Sequence, residues 1–187
     1  MADGLWLTTP RLILREHRAE DLQALHAMLS DPATTWYIPD MRKGDLAETD
    51  AYLRSVTRDA HACPRLRYNL IIEEKTTGHV AGSVGLHVIE GETGSVHYGL
   101  GYFVRRDLWN AGCATEAVRA ALDYILALDA HRVTASCLAE NIGSRRVLEK
   151  CGFVQEGLLR AHTWHDGEWK DCAVYGRLKE DSPCFVK

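Results

Sequence analysis

One segment constrains the fold of this chain more than any other. Tyr98-Gly99-Leu100-Gly101-Tyr102-Phe103-Val104 is rich in aromatic and β-branched residues and reads as a strand. Beyond it, Ala114, Val118, Ala121, Leu122 and Ile125 recur with the helical period. Leu108-Trp109-Asn110-Ala111-Gly112-Cys113 joins the two. A strand feeding a Gly-containing turn and then a helix leaves the first amides of that helix outside its hydrogen-bond ladder, aimed into one small volume. An anion fits there: the macrodipole contributes roughly 0.3–1 kcal/mol and short N–H bonds to phosphate add to it. The loop has no Gly-Lys-Ser/Thr ending for a nucleoside triphosphate and no G-x-G-x-x-G for a dinucleotide. A pyrophosphate held by backbone without metal remains, and coenzyme A carries one.

Downstream lie Asn141-Ile142-Gly143-Ser144 and Leu148-Glu149-Lys150-Cys151-Gly152-Phe153. Taken with Gly112-Cys113-Ala114-Thr115-Glu116-Ala117, they resemble the GNAT superfamily of acyl-CoA-dependent N-acetyltransferases, and within it the RimJ/RimL-type protein N-terminal acetyltransferases. The likeness runs from Thr9-Pro10-Arg11-Leu12-Ile13-Leu14-Arg15 to Asp166-Gly167-Glu168-Trp169-Lys170-Asp171. It implies a single domain over residues 1–187 with an α/β fold. That fold is a mostly antiparallel central sheet containing one splayed parallel strand pair, flanked by helices. It also implies acetyl-CoA (coenzyme A) as the cofactor, with the pantetheine arm lying between the splayed strands. By this resemblance Phe103, Val104 and Arg105 contact pantetheine or pyrophosphate, and Asn110, Ala111, Gly112, Cys113, Ala114 and Thr115 form the phosphate loop. Asn110 stands where the branch more often has glycine, and asparagine tolerates the left-handed conformation better than most residues. Trp109 reads equally as a loop residue of this branch and as an aromatic at the core edge.

The same resemblance places Asn141 against a pantetheine amide and Ser144 beside the CoA sulfur. Acyl transfer expels a thiolate, whose pKa is about 8.5, and one positioned donor stabilises it as charge develops. Leu148 occupies the position where other branches use tyrosine, so Ser144 is the matching hydroxyl. Asn141 and Ser144 also read as capping residues of the following helix. A base is less evident. Gly99 falls where the branch often has glutamate; His97, two residues earlier on the same strand face, is the candidate acceptor of the amine proton, directly or through water. His162 is the runner-up, next to Thr163 at a position where a carboxylate can occur. His162 and His165 face opposite ways on a strand and make a poor metal pair, and no metal is expected.

Composition agrees with this reading. A formal charge of −4 with no block of Lys and Arg argues against a nucleic-acid partner. No apolar run approaches the ~20 residues of a membrane span, and Met1-Ala2-Asp3-Gly4 lacks the features of a signal peptide, so a cytoplasmic enzyme without a membrane partner is expected. The six cysteines are scattered, which suggests neither disulfides nor zinc. Cys113 reads as a residue lining the cofactor, not a nucleophile. Cys184-Phe185-Val186-Lys187 matches a prenylation box only superficially.

The periodicities predict a strand over 11–15, helices around Leu22–Leu29 and Leu46–Val56, and strands over 68–73, 80–88 and 95–104. A strand over 131–137 follows, parallel to 95–104, then a helix from about Gly143 to Cys151 and a hairpin turning at Asp166-Gly167. An acceptor cleft would be walled by Trp36-Tyr37-Ile38-Pro39-Asp40-Met41 and by the hairpin with Trp164 and Trp169, although Trp169 reads better as a core plug. Asp40, Asp45, Glu48 and Asp50 alternate with basic residues and read mainly as a solvated face. The expected reaction is direct attack of an amine on acetyl-CoA in a ternary complex, the acceptor being a protein α-amine such as that of a ribosomal protein. A small amine (antibiotic, polyamine or amino-acid derivative) is the alternative, as is a catalytically silent CoA-binding module. The edge of the last hairpin offers a surface for a homodimer.

Overall fold

A computed structural model of the chain describes residues 4–92 and 94–181; the N-terminal Met1-Ala2-Asp3 and the Cys184-Phe185-Val186-Lys187 tail lie outside them. Two contact-dense units are present, and β4, β5 and α3 pass from one to the other. The first takes the chain up to His87 together with Gly101–Ala121. Its strands β1 (Trp6–Thr8), β2 (Leu12–Glu16), β3 (Arg67–Glu74) and β4 (Val80–Glu92) pair antiparallel in that order. β1 is three residues long, too short to show alternation, and is the strand the sequence did not announce. Helices α1 (Leu22–Leu29) and α2 (Leu46–Ala60) bury Leu25, Met28, Leu53 and Val56 against Ile71 and Val80, with Phe103 packed beside them. Each such side chain contributes about 1.5–3 kcal/mol relative to exposure.

Local chemistry sets the helix ends. The Asp31 carboxylate accepts the N–H groups of Ala33 and Thr34, turning the chain after α1. At α2, the Asp45 side chain accepts the Glu48 N–H while Glu48 accepts the N–H of Gly44. Asp50 pairs with Arg54 one turn on. Three of the four acids near the expected acceptor region are therefore spent on building and solvating α2.

Two buried polar groups mark this unit. The Arg15 guanidinium meets both oxygens of Asp21 at 2.8 and 2.9 Å and Glu73 at 2.6 Å. His17 packs edge-on to Tyr52, its Nδ1 3.2 Å from the Asn69 carbonyl and its Nε2 without a partner. Burial pushes its pKa down to about 4. The unfolded chain binds a proton at this residue below about 6.5, the folded one only below about 4, so stability falls as pH drops between those values. The full loss is about 3 kcal/mol. Urea midpoints at pH 7 and pH 4.5 should differ by less in His17→Gln than in the parent; an equal difference in both refutes the assignment.

The second unit takes Val88–Leu100 and the chain from Leu122 onward. Here β5 (Ser95–Val104) pairs parallel with β6 (Ala130–Leu138), and β8 (Glu168–Leu178) and β7 (Val154–His165) follow antiparallel. The parallel ladder runs from Val96–Ala130 to Gly99–Thr134 and stops before either strand ends. Leu122 and Ile125 of α3 (Cys113–Leu128), Val133, Leu148 of α4 (Ile142–Lys150) and Tyr175 are buried. Asp166 and Gly167 both have positive φ, as the two-residue turn signal requires.

Trp169 is not the core plug expected of it. It is 60% exposed, directly opposite Trp164, with the rings 5.4 Å apart and inclined at 73°. The strand period that turns Cys172 inward sets Trp169 on the open face, where its aromatic partner is cross-strand. β7 is the outer strand, and its register against β8 shifts at Gln155/Gly157 and Leu159/Thr163. In the second shift Ala161 has φ 47° and gives its N–H to Asp171.

Candidate active site

In the first unit the end of β5 leads through a 3-10 turn at Arg106–Leu108 to the start of α3. Asn110 has φ 61° and Gly112 φ 81°, so the chain reverses through two left-handed residues, as the sequence implied. The helical ladder opens with the Glu116 N–H on the Gly112 carbonyl at 3.0 Å. The amides of Cys113 and Ala114 come before that bond, and Ala111 and Thr115 stand on either side of them. This arrangement fits a diphosphate. The glycine is needed twice over: its φ suits no side chain well, and a Cβ there would sit 3.3 Å from Nη2 of Arg11.

The strand end is built to hold the loop. Phe103 lies half-buried on the α1/α2 core and Val104 is buried. The Val104 carbonyl accepts the Trp109 indole N–H at 3.0 Å, so this tryptophan is a loop fastener with an open ring face. The Arg105 N–H goes to the Ala81 carbonyl, and its guanidinium bonds Asp107, Glu74 and the Val80 carbonyl. Those partners take both kinds of donor on Arg105, and its carbonyl accepts the Leu108 N–H at 3.0 Å, so the residue fastens the end of β5 to the turn that follows. Cys113 is buried, and burial pushes its thiol up, which suits lining and not attack. A cavity of about 990 Å³ on the α1 side of this unit is bordered by Met28, Asp31, Val80, Arg105, Arg106 and Asp107.

In the second unit Asn141 caps α4: its side chain accepts the Ser144 N–H at 3.0 Å. The cap leaves the Asn141 side-chain NH₂ as a donor and uses only the backbone of Ser144. The Ser144 side chain hydrogen-bonds the Cys137 thiol, which burial otherwise drives upward in pKa. His97, on β5, reaches β6 at a different residue. Its Nε2 is 2.9 Å from Thr134 Oγ1 and its Nδ1 3.8 Å from Glu90. Thr134 and Cys137 are three strand residues apart, hence about 10 Å and on opposite faces. His97 and Ser144 are thus separate groups. His162 falls in the irregular stretch of β7 and is exposed, whereas His165 is buried.

Sequence reasoning missed the group that ties the phosphate loop to the start of β2. Glu116 accepts from Thr9 Oγ1, from the Arg11 N–H and from Arg11 Nε, while Arg11 Nη1 reaches the Ala111 carbonyl. These residues are over a hundred positions apart, and no local pattern could pair them.

The acetyltransferase (GNAT) domain model matches residues 11–154. An uncharacterized N-acetyltransferase of Bacillus licheniformis is 30% identical over 94% of this chain and 97% of its own length. A GNAT-family acetyltransferase structure from Bacillus anthracis superposes with a TM-score of 0.79 at 27% identity, covering 94% of this chain and 99% of the other. RimJ of Mycobacterium smegmatis, solved with a CoA disulfide, gives 0.77 at 23% identity, over 97% of this chain and 90% of the other.

Proposed function

This chain belongs to the GNAT acetyltransferase family and is an acetyl-CoA-dependent N-acetyltransferase; we propose that its acceptor is the α-amine at a protein N-terminus, as in the RimJ/RimL-type enzymes. The observation that carries the choice of acceptor is the composition of β5. Ser95–Val104 contains no Asp or Glu, and by the resemblance Gly99 falls where the RimJ/RimL branch often has a glutamate. An enzyme without that carboxylate favours an amine that is already neutral. At pH 7 an α-amine with pKa about 7.7–8.0 is neutral in roughly a tenth of molecules, a lysine near 10.4 in fewer than about one per thousand. The gap is about 3.5 kcal/mol in available nucleophile.

Bound acetyl-CoA supplies the acetyl group as a thioester. The amides opening α3, with Asn110, Ala111, Gly112, Cys113, Ala114 and Thr115 around them, hold its diphosphate. Phe103, Val104 and Arg105 contact the pantetheine arm or the pyrophosphate, and the Asn141 side-chain NH₂ is the donor for a pantetheine carbonyl. The amine nitrogen forms its bond to the acetyl carbon as the C–S bond breaks. Ser144 Oγ–H donates to the departing sulfur, and the ammonium proton passes to water, His97 being on the opposite face of β6 from the contact Ser144 makes. The Trp164–Trp169 pair of the β7–β8 hairpin walls the acceptor peptide.

Thiol release from acetyl-CoA, measured with a panel of amines at pH 7, tests the acceptor. Peptides with a free α-amine should turn over at least about a hundred times faster than N-blocked peptides carrying lysine, in line with the neutral fractions. Preference for a polyamine or amino-acid derivative rejects the protein acceptor. CoA binding with no amine-dependent release rejects turnover altogether.

A further inference from the structure

A phosphate loop made only of backbone amides has a physical shortfall. The end of a helix presents about half a positive charge, whereas a diphosphate brings more negative charge than that, and this loop has no lysine of its own. It also carries Glu116 in the first turn of α3, where a free carboxylate would repel the ligand. The structure answers both problems with one residue from β2's approach. Glu116 takes hydrogen bonds from Thr9 Oγ1 at 2.6 Å, the Arg11 N–H at 2.8 Å and Arg11 Nε at 2.7 Å. Burial pushes its carboxyl up in pKa, but these bonds outweigh that and hold it below the usual value. The hydrogen bond to Glu116 in turn raises the Arg11 pKa. Arg11 Nη1 is spent on the Ala111 carbonyl at 2.9 Å. Its Nη2 has no hydrogen-bond partner among the described residues. This group lies beside Gly112, 3.3 Å from where a Cβ would be, on a side chain 53% exposed.

We propose that Arg11 is a cofactor-binding residue whose Nη2 donates to a phosphate oxygen of acetyl-CoA, with Glu116 the positioning residue that aims it. The guanidinium is held at two points, Nε on Glu116 and Nη1 on the Ala111 carbonyl, so its remaining donor is already oriented before the ligand arrives, and little rotamer freedom is lost on binding. The inference rests on the reading that the amides opening α3 hold the diphosphate.

The test compares donors that differ only in phosphate. CoA affinity is measured by titration calorimetry, and kcat/KM is measured with acetyl-CoA, acetyl-dephospho-CoA and S-acetylpantetheine, which has no phosphate. Arg11→Gln should weaken CoA binding about tenfold and lower kcat/KM for acetyl-CoA to match, at unchanged kcat. It should leave S-acetylpantetheine turnover unaltered. Glu116→Gln should show the same pattern at smaller amplitude, and Arg11→Lys, which keeps the charge without the fork, should fall between parent and Arg11→Gln. A penalty kept with acetyl-dephospho-CoA assigns the contact to the diphosphate; a penalty lost with it assigns the contact to the 3′-phosphate. Unchanged CoA affinity, or equal penalties with and without phosphate, overturns the proposal. If the parent protein itself used S-acetylpantetheine as well as acetyl-CoA, the phosphate loop and not Arg11 would be the error.

Discussion

Ser144→Ala is expected to lower kcat about 10²–10³-fold while acetyl-CoA affinity changes by less than about twofold. The magnitude is that of deleting one donor aimed at charge that develops only in the transition state. The sulfur of a bound thioester is a weak acceptor and the thiolate a strong one, so the hydroxyl contributes to turnover and not to ground-state binding. The structure makes the experiment clean. Asn141 caps α4 through the Ser144 N–H, which alanine keeps, so the helix start survives the substitution. Burst kinetics and a separate CoA titration read the two quantities. A collapse of affinity with kcat preserved would assign Ser144 to the architecture of the turn, and its bond to Cys137 would be its whole purpose.

Asp21→Ala is expected to destabilise the protein by about 3 kcal/mol, more than any surface change. Arg15 and Asp21 are both nearly inaccessible, and the pair is bidentate. Removing the carboxylate leaves a buried guanidinium with Glu73 as its remaining acid, and Glu73 keeps the loss at the lower end of what a broken buried pair costs. Burial pushes the Asp21 carboxyl up in pKa, but the bonds from Arg15 and the Arg18 N–H win and hold it below the usual value. A depressed folded-state pKa stabilises above the unfolded value of about 3.9, and that contribution is lost as pH falls through the folded one. Urea unfolding of Asp21→Ala and the parent should therefore differ at pH 7 and converge in strong acid. Replacing all three, Arg15→Met with Asp21→Leu and Glu73→Gln, should recover most of the loss, because no charge is then stranded. Failure of the triple variant to recover would mean that the cost lies in packing and not in the unpaired charge.

Much of this was legible in the chain. Alternation and helical period located α1, α2, α3 and strands β2 to β6, because each element buries one face and repeats it in sequence, while β7 and β8 were read only as a hairpin from their turn. The turn at Asp166-Gly167 and the left-handed Asn110 and Gly112 were readable for the same local reason: few residue types accept a positive φ. The parallel pair followed from the helix between its two strands, and the cap at Asn141 from a capping residue type read at a helix start. Trp169 was misjudged because a strand's two faces are equivalent in sequence until one knows which is covered, and an aromatic pair on the open face looks like core.

The sequence alone determined the elements, their order, the family and the backbone geometry that suits a diphosphate, since all of these are set by neighbours along the chain. Only the tertiary structure decided which side chains meet across distance. It joined Thr9 and Arg11 to Glu116, gave the Val104 carbonyl to Trp109, spent the Arg105 guanidinium on Glu74 and Asp107, and separated His97 from Ser144 across β6. Those pairings depend on packing between segments far apart in the chain, and a charge or hydroxyl carries no local mark of the partner that burial will bring to it.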